Sequence, residues 1–383
     1  MTVQDDAKRR SAAAGGSQSA IWTFALATAL VGLVVLPRRS GESSSAIPQD
    51  PTRKPSPSHA GEDARQVART QPERGRGATT PSEIPAKGWK DIGLRVFHDV
   101  SENNIVSVAA GVTFYVLLAI FPAVAALVSC YGLVADVATI NQNLQSLQGV
   151  LPSGALEIVG DQVKRIAAKG DTTLGLTFFT GILLSVWSAN GGMKAVFSAL
   201  NIVYEERESR NFFWLNLRSL GFTAGALLFV VLALVAIVVV PAVINIIGLS
   251  AQASYIALLR WPVLLLAVLA GLALLYRYGP SRDAPRWRWV TWGSVIAGVL
   301  WLATSLGFSW YVSNFGKYNE TYGSLGAVIG FMTWIWISTT IVLIGAEINA
   351  EMEHQTETDT TIGPDKPLGG RDARMADTVG AAS

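Results

Sequence analysis

The chain has 383 residues, half of them hydrophobic and only 15% charged, where a soluble domain carries ~25%. Mean hydropathy is +0.36. With 30 basic and 28 acidic residues the net charge is +2, too small to gather nucleic acid by its field, and the single cysteine, Cys130, excludes an intrachain disulfide.

Residues 1–39 open with a polar stretch holding Lys8, Arg9 and Arg10, followed by the apolar run Ile21 to Leu36 and Pro37-Arg38-Arg39. A basic start before an apolar core resembles a signal peptide, but Val35-Leu36-Pro37-Arg38 is a poor cleavage site. The expectation is an uncleaved membrane anchor. A cleaved signal and an extension from a misplaced start codon are the alternatives. Residues 40–87 are rich in Ser, Pro, Gly and Thr with scattered arginines, among them Arg53, Arg65, Arg69, Arg74 and Arg76. Such a segment buries too little surface to offset its ordering entropy, so a disordered linker is expected, attracted to anionic lipid.

Residues 88–103 change character. Trp89, Ile92, Val96, Phe97 and Val100 recur at helical spacing, with Lys90, Asp91, Arg95, His98 and Asp99 on the other face. This pattern predicts an interfacial helix lying on the membrane before the first span.

Six long apolar runs follow, at 105–128, 173–190, 219–241, 255–277, 289–312 and 325–347. A bilayer core takes roughly 20 helical residues to cross. The fold class is therefore all-α: a polytopic helical membrane protein with a six-span core, an extra N-terminal apolar segment and amphipathic surface helices. Pro122 lies inside the first span, where neighbouring helices tolerate a kink. Between spans one and two, residues 135–172 carry two amphipathic patterns parted by Pro152-Ser153-Gly154, a helical hairpin on the membrane surface. The membrane domain covers 88–354, and 355–383 read as a disordered cytoplasmic tail.

Basic residues set the orientation. Lys194, Arg207, Arg210 and Arg218 follow the second span, and Arg277, Arg282, Arg286 and Arg288 follow the fourth. Lys87, Lys90 and Arg95 precede the first, whereas the loop from Ile244 to Ser254 has no charge and the loop after the fifth span has only Lys317. Both ends of the six-span core are expected on the cytoplasmic side.

Polar residues within spans are costly and default to functional candidates. Arg260, near the outer end of the fourth span, meets an anionic headgroup or snorkels to the interface. Glu347 and Glu351, four apart on one face with Asn349 between them, line a vestibule or end a helix in water. Asn190, Gly191, Gly192 and Lys194 break the second span and expose backbone to a substrate, or form a helix cap. Tyr322 belongs to an outer loop with Asn314, Tyr318 and Asn319, a position typical of interface anchors. Gly221-x-x-x-Gly225 and Gly326-x-x-x-Gly330 offer small-residue faces for helix packing. His59, His98 and His354 share no metal-ligand spacing, and no Walker, Rossmann or Gly-x-Ser-x-Gly pattern occurs. No enzyme, cofactor or metal is expected.

Several stretches carry a family likeness: Ala109-Ala110-Gly111-Val112-Thr113-Phe114-Tyr115 running to Phe121-Pro122, and Asn190-Gly191-Gly192. Leu275-Tyr276-Arg277-Tyr278-Gly279-Pro280 and Pro285-Arg286-Trp287-Arg288-Trp289 follow. Tyr322-Gly323-Ser324-Leu325-Gly326-Ala327 and Gly345-Ala346-Glu347-Ile348-Asn349-Ala350-Glu351 complete the set. In order, from about residue 86 to 354, they resemble the YihY/BrkB membrane proteins, once labelled ribonuclease BN. The resemblance implies a bacterial inner-membrane protein with six spans and cytoplasmic core ends. It brings no settled activity, and the ribonuclease label fits poorly with a sequence in which no clustered metal ligands are visible.

The function expected is transport or translocation of an envelope lipid or other anionic substrate. Arg260 and Lys194 would attract the anion, Glu347 would act as a gate or proton-coupled acid, and Asn190, Arg277, Tyr322, Asn349 and Glu351 complete the candidate path. The alternative is a non-transporting envelope scaffold that recruits partners through the 135–172 hairpin and the basic linker. Membrane lipids are the expected partners, a homo-oligomer is allowed, nucleic acid is not expected, and no motif indicates a protein partner.

Overall fold

The structure is a computed structural model that describes residues 70–132, 176–239, 250–315 and 324–382. The apolar run at 21–36, the hairpin expected at 135–172 and the loop with Tyr318 and Tyr322 lie outside those residues.

Two short 3-10 turns, Pro72–Arg74 and Pro81–Glu83, precede helix α1, Ala86–Glu102. Six long helices follow: α2 Ile105–Gly132, α3 Leu176–Val203, α4 Phe212–Leu234, α5 Ser250–Tyr278, α6 Trp287–Phe315 and α7 Ser324–His354. A π-helical turn, Val235–Val239, extends α4, and a short α8, Arg374–Asp377, closes the tail. Asn104 separates α1 from α2 by adopting φ +49°, a left-handed conformation that asparagine tolerates well. Asn211 caps α4 by accepting a hydrogen bond from the Trp214 amide at 2.9 Å.

Five of the long helices hold stretches apolar and long enough to cross a membrane: Ile105–Val124, Phe212–Ile237, Leu258–Tyr278, Trp287–Val312 and Val328–His354. Helix α3 matches them in length but stands outside that set among the described residues. The bundle wears its apolar side chains outward, with Phe212 74%, Leu258 71% and Leu306 72% exposed. A soluble protein does not leave such surface in water, and lipid is the solvent that suits it.

The tight core sits at one end of the bundle. It gathers Ile105 and Ala109 from the start of α2, Leu200 and Val203 from the end of α3, and Tyr276 from the end of α5. Val290 comes from the start of α6, and Leu343, Ala346 and Ala350 from the end of α7. Helices therefore enter and leave this end in alternation. Close approach needs small residues: a Cβ on Gly345 would stand 2.6 Å from the Ala297 Cβ, and one on Gly192 would stand 3.2 Å from the Ala119 Cβ.

Three expectations are corrected. Helix α3 runs unbroken through Asn190-Gly191-Gly192, because Gly192 serves packing against α2 rather than a break. Added Cβ atoms on Gly221, Gly225 and Gly330 would meet nothing within 4 Å, so helices of this chain do not touch at the predicted Gly221/Gly225 face or at Gly330.

The third concerns the segments read as disordered. Residues 70–85 and 355–382 fold onto the tight end of the bundle. Met375 joins the core of the long helices, and Ala78 and Ile84 pack with Ile92, Val96, Trp289 and Met352. Composition missed this because these stretches borrow their apolar partners from the bundle and satisfy their backbone with charged side chains. Arg371, 3% exposed, donates to the carbonyls of Glu357, Thr358, Lys366 and Ala376. Arg76, wholly buried, donates to the Gln355 carbonyl, and the Thr356 hydroxyl donates to the carbonyls of Arg76 and Ala78.

Candidate functional site

The last two turns of α7 carry four polar positions at alternate residues: Glu347, Asn349, Glu351 and Glu353. Helical spacing sorts them onto two faces, Glu347 with Glu351 and Asn349 with Glu353. All four are at most 1% exposed.

The first face meets α1. Arg95 donates through Nε to Glu351 Oε2, and through Nη2 to the Glu351 carbonyl at 3.3 Å and Gln355 Oε1 at 2.7 Å. His354 Nδ1 lies 3.2 Å from Glu351 Oε1. Asp99, one turn beyond Arg95, brings a third carboxylate. Oxygens of Asp99, Glu347 and Glu351 all lie within 4.8 Å of one another. Burial, and then the neighbouring Glu351 charge, push the Asp99 carboxyl up to about 6. Glu347 Oε2 is buried with no hydrogen-bond partner. Such an atom forfeits its hydration without compensation, and buried polar groups left so are a small minority in folded proteins.

The second face clamps the bundle. Asn349 Oδ1 accepts from the Gly293 amide at 2.9 Å, and its Nδ2 donates to the Val290 carbonyl at 3.4 Å, tying α7 to α6. Glu353 accepts a bidentate pair from Arg282 at 2.6 and 3.1 Å, and a hydrogen bond from Thr360 at 2.8 Å. The Arg282 guanidinium also stacks over the Tyr204 ring at 4.2 Å.

A third feature lies at the end of α5. Arg277 is 7% exposed, with Nε and Nη1 buried and unpartnered. Its guanidinium stands 4.3 Å from the Trp287 ring centroid and 5.3 Å from that of Tyr278. Lying against two rings that themselves meet edge to face at 6.3 Å, the planar fork keeps donors for an acceptor that the described residues do not supply.

The candidates named from sequence thus scatter. Glu347 and Glu351 come together. Asn349 is turned away into an interhelical clamp. Asn190 is buried in α3, accepts at 3.3 Å from Thr223 and leaves its Nδ2 unpartnered. Lys194 lies over the Trp187 ring at 5.4 Å. Arg260, near the end of its span, donates through Nη1 to the Ile237 carbonyl of the π-helical turn at 3.4 Å, and its guanidinium stands 5.3 Å from the Trp261 ring centroid. Tyr322 lies outside the described residues. Asp99, Arg95, Arg282, Glu353 and Trp287 were not picked out. The spacing places Asp99 and Arg95 on the polar face of an interfacial helix; α7 and the tail reach these two, and Asp91 beside them is 1% exposed and paired with Arg74 at 2.6 Å. Histidine spacing along the chain gave no sign of these three carboxylates, which meet only across two helices.

A polytopic all-α membrane protein, with buried ionisable groups collected at one bundle end, is the class that this fold and site define. The family model described as Virulence factor BrkB matches residues 96–368, and the chain belongs to that family. It is similar to the ribonuclease-like protein YfkH of Bacillus subtilis, 35% identical over 46% of this chain and 65% of that protein. A UPF0761 membrane protein of Tolumonas auensis is 34% identical over 22% of this chain and 28% of its own length, so the chain spans less than two thirds of either relative. A UPF0761 membrane protein of Aliivibrio salmonicida is 28% identical over 67% of this chain and 80% of that protein. No solved structure matches.

Proposed function

We propose that this protein translocates an anionic amphiphile, a lipid with a phosphate headgroup, across a bacterial inner membrane, with Arg277 receiving the headgroup. Helices α2 to α7 would cross the bilayer six times, with the tight end and both core termini cytoplasmic. The basic loops after α3 and α5, and the basic segment before α2, support that orientation. The observation that carries the reading is the Arg277 guanidinium, packed against Trp287 and Tyr278 with Nε and Nη1 unmet among the described residues. Arginine's fork matches phosphate oxygens bidentately, and desolvation strengthens the pairing. A nuclease reading gains less support, because Glu347 and Glu351 are 1% exposed and a nucleic acid backbone needs an open groove to reach them.

The test is lipid scrambling in vesicles bearing the purified chain, read by a quencher that reaches only the outer leaflet. Wild type should expose the protected pool. Arg277→Gln should slow it at least tenfold, and Arg277→Lys should rescue it in part, keeping charge without the fork. Equal rates for wild type and Arg277→Gln would reject the headgroup role. The scaffold reading rests on the folded cap of 70–85 and 355–382, a platform at the bundle end, and predicts wild-type vesicles no faster than empty ones.

A further inference from the structure

We propose that Asp99, Glu347 and Glu351 bind one hard divalent cation, of the magnesium, manganese or calcium type, which fastens surface helix α1 to the end of α7. Three carboxylates from two helices bring oxygens within 4.8 Å of one another. Oxygen ligands stand roughly 2.0–2.6 Å from such ions, so two on opposite sides of one ion are about 4–5 Å apart. The spread of the three groups therefore fits a shared ion without rebuilding either helix.

A cluster of acids alone would be a weak case. The independent observation is Glu347, 1% exposed, with Oε2 buried and unpartnered among the described residues. Its carboxylate is one of the three whose oxygens converge, and none of the ion pairs among the described residues involves it. Arg95 answers only one of the three carboxylates, and His354 approaches that same one. With all three carboxylates ionised, as an ion would require, one guanidinium leaves about two negative charges unmatched before His354 is counted. A divalent ion supplies the missing charge. Each oxygen of Glu351 keeps a lone pair after accepting from Arg95 or facing His354. The donor set is all oxygen, which selects hard cations over zinc or copper.

The consequence is mechanical. Among the described residues, α1 reaches the end of α7 through Ile92 and Val96 packing and through the polar contacts of Arg95. An ion between Asp99 and Glu347 adds a second link one turn beyond Arg95 and fixes the rotation of α1 on the bundle.

The experiment is titration of chelator-treated full-length protein in detergent with Mn2+, counting free ion by electron paramagnetic resonance. Wild type should hold one tight Mn2+ per chain, displaced by Mg2+ or Ca2+. Glu347→Gln and Asp99→Asn should each weaken it at least tenfold. Asp365→Asn, in the separate acidic cavity lined by Glu357, Asp359 and Asp365, should leave it unchanged. Circular dichroism and a single elution peak establish folding. Should Glu347→Gln fail to fold, Asp99→Asn, at a partly exposed position on α1, carries the reading alone. No tight Mn2+ on wild type, or the same affinity in Asp99→Asn, overturns the proposal. Because binding is read without transport, this result stands apart from the Arg277 scrambling test.

Discussion

Replacing Gly345 by alanine sets two effects of opposite sign against each other. In a helix interior alanine is favoured over glycine by about 1 kcal/mol. At Gly345 the new Cβ would lie 2.6 Å from the Ala297 Cβ, 2.6 Å from Tyr276 Oη and 3.0 Å from the Gly293 carbonyl oxygen. Ordinary carbon contacts begin near ~3.5 Å, so α6 and α7 must separate by close to an ångström and Tyr276 must give way as well. Overpacking of this kind costs about 1–3 kcal/mol. Displacing Tyr276 also breaks its hydrogen bond to the Val342 carbonyl, 2.8 Å long, a loss of about 1 kcal/mol. The net expectation is destabilisation by about 1–3 kcal/mol. Titration of detergent-solubilised protein with dodecyl sulfate, followed by tryptophan fluorescence, measures it. Gly330→Ala is the matched control, since its Cβ meets nothing within 4 Å, and it should be neutral or slightly stabilising. A Gly345→Ala protein as stable as wild type would refute the close-contact account of this end of the bundle.

Glu353→Gln leaves Arg282, whose side chain is wholly buried, without its counter-charge; a loss of about 3–5 kcal/mol in the same assay is expected, and a loss under about 1 kcal/mol would show that the pair is solvated. Arg371→Ala removes the donor to four carbonyls of the tail, so limited proteolysis should cut within 355–382 at least tenfold faster while the helices stay protected. Burial works against the Glu208 charge, but hydrogen bonds from Arg210 outweigh it and hold the carboxyl down to about 2. A depressed folded value means the stabilisation is complete above about pH 4.5 and fades as pH falls toward 2; Arg210→Gln should flatten thermal stability across that window, and an unchanged profile would exclude the pairing.

The periodicity and apolar length of the sequence determined the helical membrane architecture, because the bilayer demands closed backbone hydrogen bonding and about twenty apolar residues for each crossing. The α1 pattern was equally plain from the spacing of Trp89, Ile92 and Val96. The paired positions of Glu347 and Glu351 were visible as well, since four residues return a helix to the same face. What faces each of these groups was decided only by tertiary structure. Asp99 lies some 250 residues from Glu351 along the chain, and Arg282 lies 71 from Glu353. No local pattern encodes such meetings. The small-residue motifs misled for a related reason: glycine marks a place where a neighbour can come close, but which glycine has a neighbour depends on how the helices cross. The polar tail reads as disordered because it holds few apolar residues of its own; it is ordered by the surface and the buried arginines that the folded bundle presents to it.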